Sequence, residues 1–435
     1  MIPPILARRN AAAFWLAVLL TGIGTGLAAA ALTKLLEATQ HAIWGGNGLD
    51  LLESASAAPP WKHLAALAGA GVLTGAGQIL LTRLSSANGI EITAAIWFDA
   101  GRLPKLRTLG SALLSILIVG MGASLGREGA PKQAGAVLAD TMSDRMRLSD
   151  DQRRLLVACG AGAGMAAAYG VPLGGALFSL EVLRGALALR FVLPALVTTL
   201  TATGVSWAFL PDTPTYRIPA FHGGISSAAW AVPAGLAIGL VSVLYVRSVA
   251  WADRHKPAGW RRLLAPLVAL TIVGAASIQL PQLLGNGRDI AELAFTGQVS
   301  VPLLLALAFL RPAATVMCLG SGAPGGLFTP SLALGALLGG ALGLPWAWAF
   351  PGIPPGLFAL LGAGAMLAAS TQGPISAVVL MMELTGYARA AILPLLIIVV
   401  TATLIARTIE PRSIYDARLT DDQVRERQQE RQGGL

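Results

Sequence analysis

The sequence predicts an all-α, polytopic membrane protein with tilted and broken helices in two related halves. Three observations predict it. Of 435 residues, 55% are hydrophobic and only 12% charged, whereas soluble domains carry about 25% charge. Charge-free stretches recur at 11–33, 109–125, 191–210 and 390–406, each close to the ~20 residues that cross ~30 Å of hydrocarbon. An internal repeat then relates the two parts of the chain.

The first charge-free stretch, 11–33, is too long for the apolar core of a signal peptide, about 7–15 residues, and more apolar segments follow it. It reads as the first span. Cys159 and Cys318 both lie in apolar segments, so neither a disulfide framework nor a metal site is expected. The net charge of +9 sits in polar runs at 8–9, 145–154, 254–262 and 425–431. That is the pattern of cytoplasmic loops beside a lipid bilayer, not of a nucleic-acid-binding face.

Gly and Pro are frequent, 51 and 26 residues, and many fall inside apolar segments. Interrupted helices at membrane depth are tolerated only where the backbone is shielded or lines a cavity. The apolar segments 130–139 and 172–180 are also short for a crossing. Half-length helices are therefore predicted.

The repeat has a fixed offset of 202 residues. Gly160-Ala161-Gly162-Ala163 reappears as Gly362-Ala363-Gly364-Ala365, Pro172 as Pro374, and Glu181 as Glu383. Gly135-Ala136-Val137-Leu138 resembles Gly335-Ala336-Leu337-Leu338 at an offset of 200. The predicted transmembrane transport domain is 1–418, with halves at roughly 11–210 and 224–418. A polar tail at 419–435 is expected to be disordered. The repeat alone leaves open whether the halves run parallel or inverted. Either way, transporter sites lie near the midplane where such halves meet.

Four motifs carry chemistry. In Gly126-Arg127-Glu128-Gly129-Ala130-Pro131, a charged pair sits between glycines after an uncharged span. An intramembrane charge costs ~3 kcal/mol or more, so it marks a functional candidate. Pro131 suits the first turn of a new helix, whose unpaired N–H groups form an anion site. In Gly320-Ser321-Gly322-Ala323-Pro324-Gly325-Gly326-Leu327-Phe328-Thr329-Pro330, the glycines and prolines precede an apolar helix. Its free donors would be the N–H groups of Leu327 and Phe328. Ser85-Ser86-Ala87-Asn88-Gly89-Ile90 opens a short apolar segment, and Asn88 reads as a helix cap with an amide to offer. Tyr415 follows the last apolar run; its phenol is a neutral donor, although an interfacial tyrosine would look the same.

The order of Gly126–Gly129 and then Gly326–Pro330 resembles the CLC family of chloride channels and proton-coupled chloride antiporters. The resemblance spans roughly 11–418. It implies inverted repeats, a pore within each subunit of a homodimer, and helix N-termini converging on chloride. It implies that Glu128 is the gating glutamate, lying in an anion site when ionised and leaving it when protonated. Leu327 and Phe328 match the amide positions, and Tyr415 the inner hydroxyl donor. The anion-contacting set it implies is Asn88, Gly89, Ile90, Gly126, Arg127, Gly129, Gly326, Leu327, Phe328 and Tyr415. It further implies chloride, and in coupled members protons, as transported partners, with no cofactor.

There are departures from the family pattern. Asn88 stands where the family usually has serine, which keeps fluoride and nitrate open as substrates. Ala130 replaces a proline. Val182 occupies the place of the inner glutamate of proton-coupled members, so a passive channel or uncoupled carrier stays open. Compact relatives of this kind are bacterial, which implies the inner membrane. An enzyme would need convergent nucleophile, base or metal ligands; the histidines, His41, His63, His222 and His255, are scattered.

Overall fold

The computed structural model describes residues 11–45, 51–84, 91–221, 224–386, 391–416, 419–420 and 422–426. Asn88, Gly89 and Ile90 lie outside the described residues. The first half comprises α1 (Ala11–Trp44), α2 (Leu51–Ser56), α3 (Pro60–Leu84), α4 (Ile92–Phe98), α5 (Lys105–Gly120), α6 (Gly129–Arg145), α7 (Asp150–Tyr169), α8 (Pro172–Phe178) and α9 (Leu189–Ser206). The second comprises α10 (Ile225–Arg254), α11 (Arg261–Ser277), α12 (Arg288–Phe295), α13 (Val301–Gly320), α14 (Phe328–Ala349), α15 (Pro355–Thr371), α16 (Pro374–Thr385) and α17 (Ile392–Ile409).

Among the described residues, seven helices are long and apolar enough to cross a membrane. Their outward faces are apolar too. Leu236, Leu240 and Leu244 on α10, and Leu396, Val400 and Leu404 on α17, form exposed i, i+4 stripes. Water does not tolerate such stripes in number, but lipid does. The chain is a multi-pass integral membrane protein.

The charge-free stretches and the helices do not coincide at one place. The stretch 109–125 reads as a span, yet α5 stops at Gly120. Gly122 follows with φ of 112°, a left-handed backbone that ends the helix at no steric cost to glycine. Gly322, with φ of 99°, ends α13 the same way. The short segment 172–180 is a half-length helix as predicted: α8 has 7 residues, about 10 Å of rise. It passes into a π-turn, Ser179–Arg184.

The halves pack by one recipe. A Cβ on Gly22 or Gly26 would strike the α9 backbone at Thr198 and Ala202; one on Gly235 or Gly239 would strike α17 at Ile398 and Ala402. Likewise Gly135 faces the Gly160 carbonyl, and Gly335 faces Gly362. Small residues let helices approach closely where lipid offers no hydrophobic drive for association. The repeat seen in the sequence is thus a repeat of close helix contacts. The equivalent turns at Gly126 and Gly326 meet in an antiparallel bridge.

Two reciprocal clamps join the halves. The Glu181 carboxylate accepts hydrogen bonds from the N–H of Ile375 at 3.2 Å and of Ser376 at 2.6 Å, and from the Ser376 hydroxyl at 2.6 Å. Glu383 accepts from the N–H of Leu173 at 3.0 Å and of Gly174 at 2.6 Å. Each glutamate therefore caps the first turn of the helix in the other half, α16 or α8, and satisfies donors orphaned there.

Arg311 is fully buried within α13. Its guanidinium donates to the carbonyls of Gln282 at 2.8 Å, Leu284 at 3.0 Å and Gly285 at 2.6 Å. These bonds staple the 282–285 segment and account for a charge at membrane depth without assigning it to a conduction path. Arg311→Met removes charge-assisted bonds worth about 1.5–3 kcal/mol each and leaves buried carbonyls unpaired. The expected result is a marked drop in thermal unfolding temperature in detergent; an unchanged temperature would show that the staple is dispensable.

In the polar segment after 418, residues 422–426 are helical, and Leu419 and Val424 are buried.

Candidate functional site

Two turns build the site, one from each half. The first, 121–128, joins α5 to α6; the second, 321–327, joins α13 to α14. They are tied by paired bonds, Gly126 N–H to the Gly326 carbonyl at 2.7 Å and Gly326 N–H to the Gly126 carbonyl at 2.8 Å. A side chain at either glycine would overlap the Glu128 carboxylate. Glycine at both positions leaves open the space that the carboxylate fills.

Glu128 is fully buried at the start of α6. Its Oε1 accepts from the N–H of Phe328, the first residue of α14, at 2.6 Å. Its Oε2 accepts from the Thr329 hydroxyl at 3.2 Å and faces the Tyr169 hydroxyl at 3.5 Å. Tyr169 and Thr329 share a further bond at 2.9 Å. The carboxylate thus occupies the position a small anion would take at a helix N-terminus: buried, ringed by donors and lying on the positive end of a dipole.

A cavity lies beyond each end of the 126–129 turn. One, of about 30 Å³, is lined by Arg127 with Asn286, Gly287 and Arg288. The Arg127 guanidinium lies 4.8 Å from the Tyr169 ring centroid. The other, of about 70 Å³, is lined by Gly129, Gly326, Leu327 and Tyr415, with Glu91 and Lys132. Tyr415 is held there by its neighbours. Ile414 N–H donates to the Ser370 carbonyl of α15 at 2.7 Å, and the Ser413 hydroxyl donates to Asp416 at 2.8 Å.

The sequence expectations fare unevenly. Glu128 and Phe328 come together, as the motifs predicted, and Leu327 and Tyr415 share one cavity. Gly126 and Gly326, named in the same set, are brought together, but their amides face each other. Each amide has one hydrogen, and each is committed to the other glycine's carbonyl. The two glycines close the turns together and clear space for the carboxylate. Arg127 lines the opposite cavity from Gly129, so the two do not share one pocket. Helix α14 begins at Phe328, earlier than the segment after Pro330 suggested, so Pro330 sits in its first turn, where no N–H is needed.

The motifs missed Tyr169, Thr329 and Lys132. Tyr169 was visible as a tyrosine ending a Gly/Ala-rich apolar run, and Lys132 as a charge inside a segment read as apolar. Nothing in the sequence tied Tyr169 to Glu128, because 41 residues separate them.

Inverted halves whose broken helices meet at one buried carboxylate define a polytopic transport-class membrane protein. The chain belongs to the voltage-gated chloride channel family, whose pattern matches residues 79–407. It is 32% identical over 431 residues to a ClcB-like chloride channel protein of Ralstonia nicotianae, covering 93% of this chain and 97% of that one. Over 308 residues it is 32% identical to an H⁺/Cl⁻ exchange transporter of Vibrio parahaemolyticus, covering 68% of this chain and 66% of that one. Among solved structures, a slow cyanobacterial Cl⁻/H⁺ antiporter superposes with a TM-score of 0.82 over 95% of this chain and 99% of that one, at 22% identity. A CLC-type fluoride/proton antiporter gives 0.75 over 94% of this chain and 98% of that one, also at 22% identity. At that identity the superpositions speak for the fold alone.

Proposed function

We propose that the protein carries chloride across a bacterial inner membrane, through a path inside each subunit of a homodimer, with Glu128 as the gate. The observation that carries this reading is the Glu128 carboxylate on the Phe328 N–H, inside the protein and between two cavities. A carboxylate and a halide are both small monovalent anions with the same taste for amide hydrogens, so they compete for one place. In the ionised state Glu128 blocks; protonated, it loses that advantage and yields to chloride. Leu327 and Tyr415 line the approach on the other side. The protein is a transporter and not an enzyme, with no cofactor in the cycle.

The test is chloride efflux from potassium chloride-loaded liposomes containing the purified protein, started by valinomycin. Efflux well above protein-free liposomes is expected. Efflux no faster than in empty liposomes would end the chloride reading.

A second reading, passive conductance or uncoupled carriage, is favoured by Val182. It is buried and aliphatic at the place where proton-coupled relatives carry a titratable side chain. A chloride gradient that drives no proton uptake into the same liposomes supports it; stoichiometric uptake overturns it and leaves a proton path that bypasses Val182.

A further inference from the structure

Lys132 lines the cavity of Leu327 and Tyr415, and the gating reading does not use it. It lies in the first turn of α6, one turn beyond Glu128, and is 5% exposed. Its ammonium donates to the Tyr415 hydroxyl oxygen at 3.3 Å. It sits 4.4 Å from the Tyr415 ring centroid and 5.4 Å from that of Phe178; the two rings meet edge to face at 5.5 Å. The carboxylate-bearing Glu91 lines the same cavity, as do Gln133 and the Gly326–Leu327 backbone. A buried ammonium at membrane depth is costly, and such groups mark ion pathways. The cavity, about 70 Å³, exceeds the ~10–15 Å³ that one water requires.

The hydrogen-bond directions matter. A phenol has one hydrogen to give and two lone pairs. Lys132 donates to the Tyr415 oxygen, so the O–H hydrogen remains for another acceptor. A cation on the oxygen also polarises that O–H, strengthening it as a donor. The two side chains face one cavity next to the converging helix ends.

We propose that Lys132 is a direct, charge-bearing ligand of the transported anion, forming with Tyr415 an inner site for a small monovalent inorganic anion. This rests on the chloride-transport reading above. Neutral amides and hydroxyls would otherwise supply the donors; here the Lys132 ammonium, which shares the cavity with the Glu91 carboxylate, adds to them. In the low dielectric of the interior that charge attracts an anion far more strongly than it would in water. It also holds the Tyr415 phenol in its donating orientation.

The test is chloride affinity by titration calorimetry on the purified full-length protein in detergent, for wild type, Tyr415→Ala, Lys132→Met and Lys132→Arg. Lys132→Met is expected to weaken chloride binding at least tenfold. Lys132→Arg, which keeps the charge, is expected to stay within about threefold of wild type. Each variant must elute as wild type does on size exclusion. Should Lys132→Met fail to do so, Lys132→Gln removes the charge while keeping a donor to Tyr415, and the same tenfold criterion applies. Wild-type affinity retained in the neutral variant overturns the proposal while leaving the chloride reading intact. Equal losses in Met and Arg overturn it too, because packing then decides. If wild type binds no chloride and liposomes show no efflux, the failure belongs to the underlying reading and takes this proposal with it.

Discussion

Glu128→Ala and Glu128→Gln yield proteins whose chloride flux differs from wild type and no longer responds to pH. The reason is geometric. One carboxylate oxygen holds the Phe328 N–H at 2.6 Å, and the other accepts from the Thr329 hydroxyl at 3.2 Å. Both bonds are charge-assisted, worth about 1.5–3 kcal/mol each. Alanine removes the competitor outright, so chloride affinity rises; each 1.4 kcal/mol of lost competition is about tenfold. Glutamine keeps the side chain's size but has no ionised state. Neither variant has a proton to gain at this position, so flux measured from acid to neutral pH is flat for both. A pH response in both variants as steep as in wild type would remove Glu128 from the gate, whatever happens to absolute rates.

Glu181→Ala is expected to destabilise the protein by roughly 3 kcal/mol, since it orphans two N–H groups at the start of α16 together with the Ser376 hydroxyl. In detergent this appears as a lower thermal unfolding temperature. Glu181→Gln keeps one acceptor oxygen and should lose less. Neither substitution should change the number of protons moved per chloride. That separates two roles for Glu181. It is adjacent to Val182, the place to which the resemblance assigns the inner glutamate of proton-coupled members, so it is the nearest substitute on the chain. Its carboxylate, however, is already engaged by three donors, and it is matched across the halves by Glu383 on Leu173 and Gly174. A Glu181→Gln protein of unaltered stability that has lost proton movement would make Glu181 a relay and end the clamp reading. Glu383→Ala should reproduce the stability loss, because it leaves the α8 donors bare.

The two glutamates show what kind of information the repeat held. A constant offset of 202 residues ties Glu181 to Glu383 and Pro172 to Pro374. It signals that the two positions are equivalent, but not that each reaches across to the other half. Arg311 was likewise visible as a charge in an apolar run, and such a charge reads as functional by default. Three backbone carbonyls from a segment far along the chain turn it into a staple. Lys132 went the other way. A lone lysine near a helix start looks ordinary until Tyr415, 283 residues later, is found against it.

The sequence alone determined the membrane class, the two-fold repeat and the broken helices, and it singled out the Gly126–Gly129 and Gly326–Pro330 motifs. These follow from local properties: hydropathy over one span, glycine and proline where a helix must stop, and charge where lipid forbids it. Only the tertiary structure decided which donors meet which acceptors. It turned the Gly126 and Gly326 amides to each other, placed Tyr169 and Thr329 on Glu128, and brought Lys132 to Tyr415. A hydrogen bond needs partners within about 3 Å, and no spacing along a chain fixes that distance between residues on separate helices; it is set by how the helices pack.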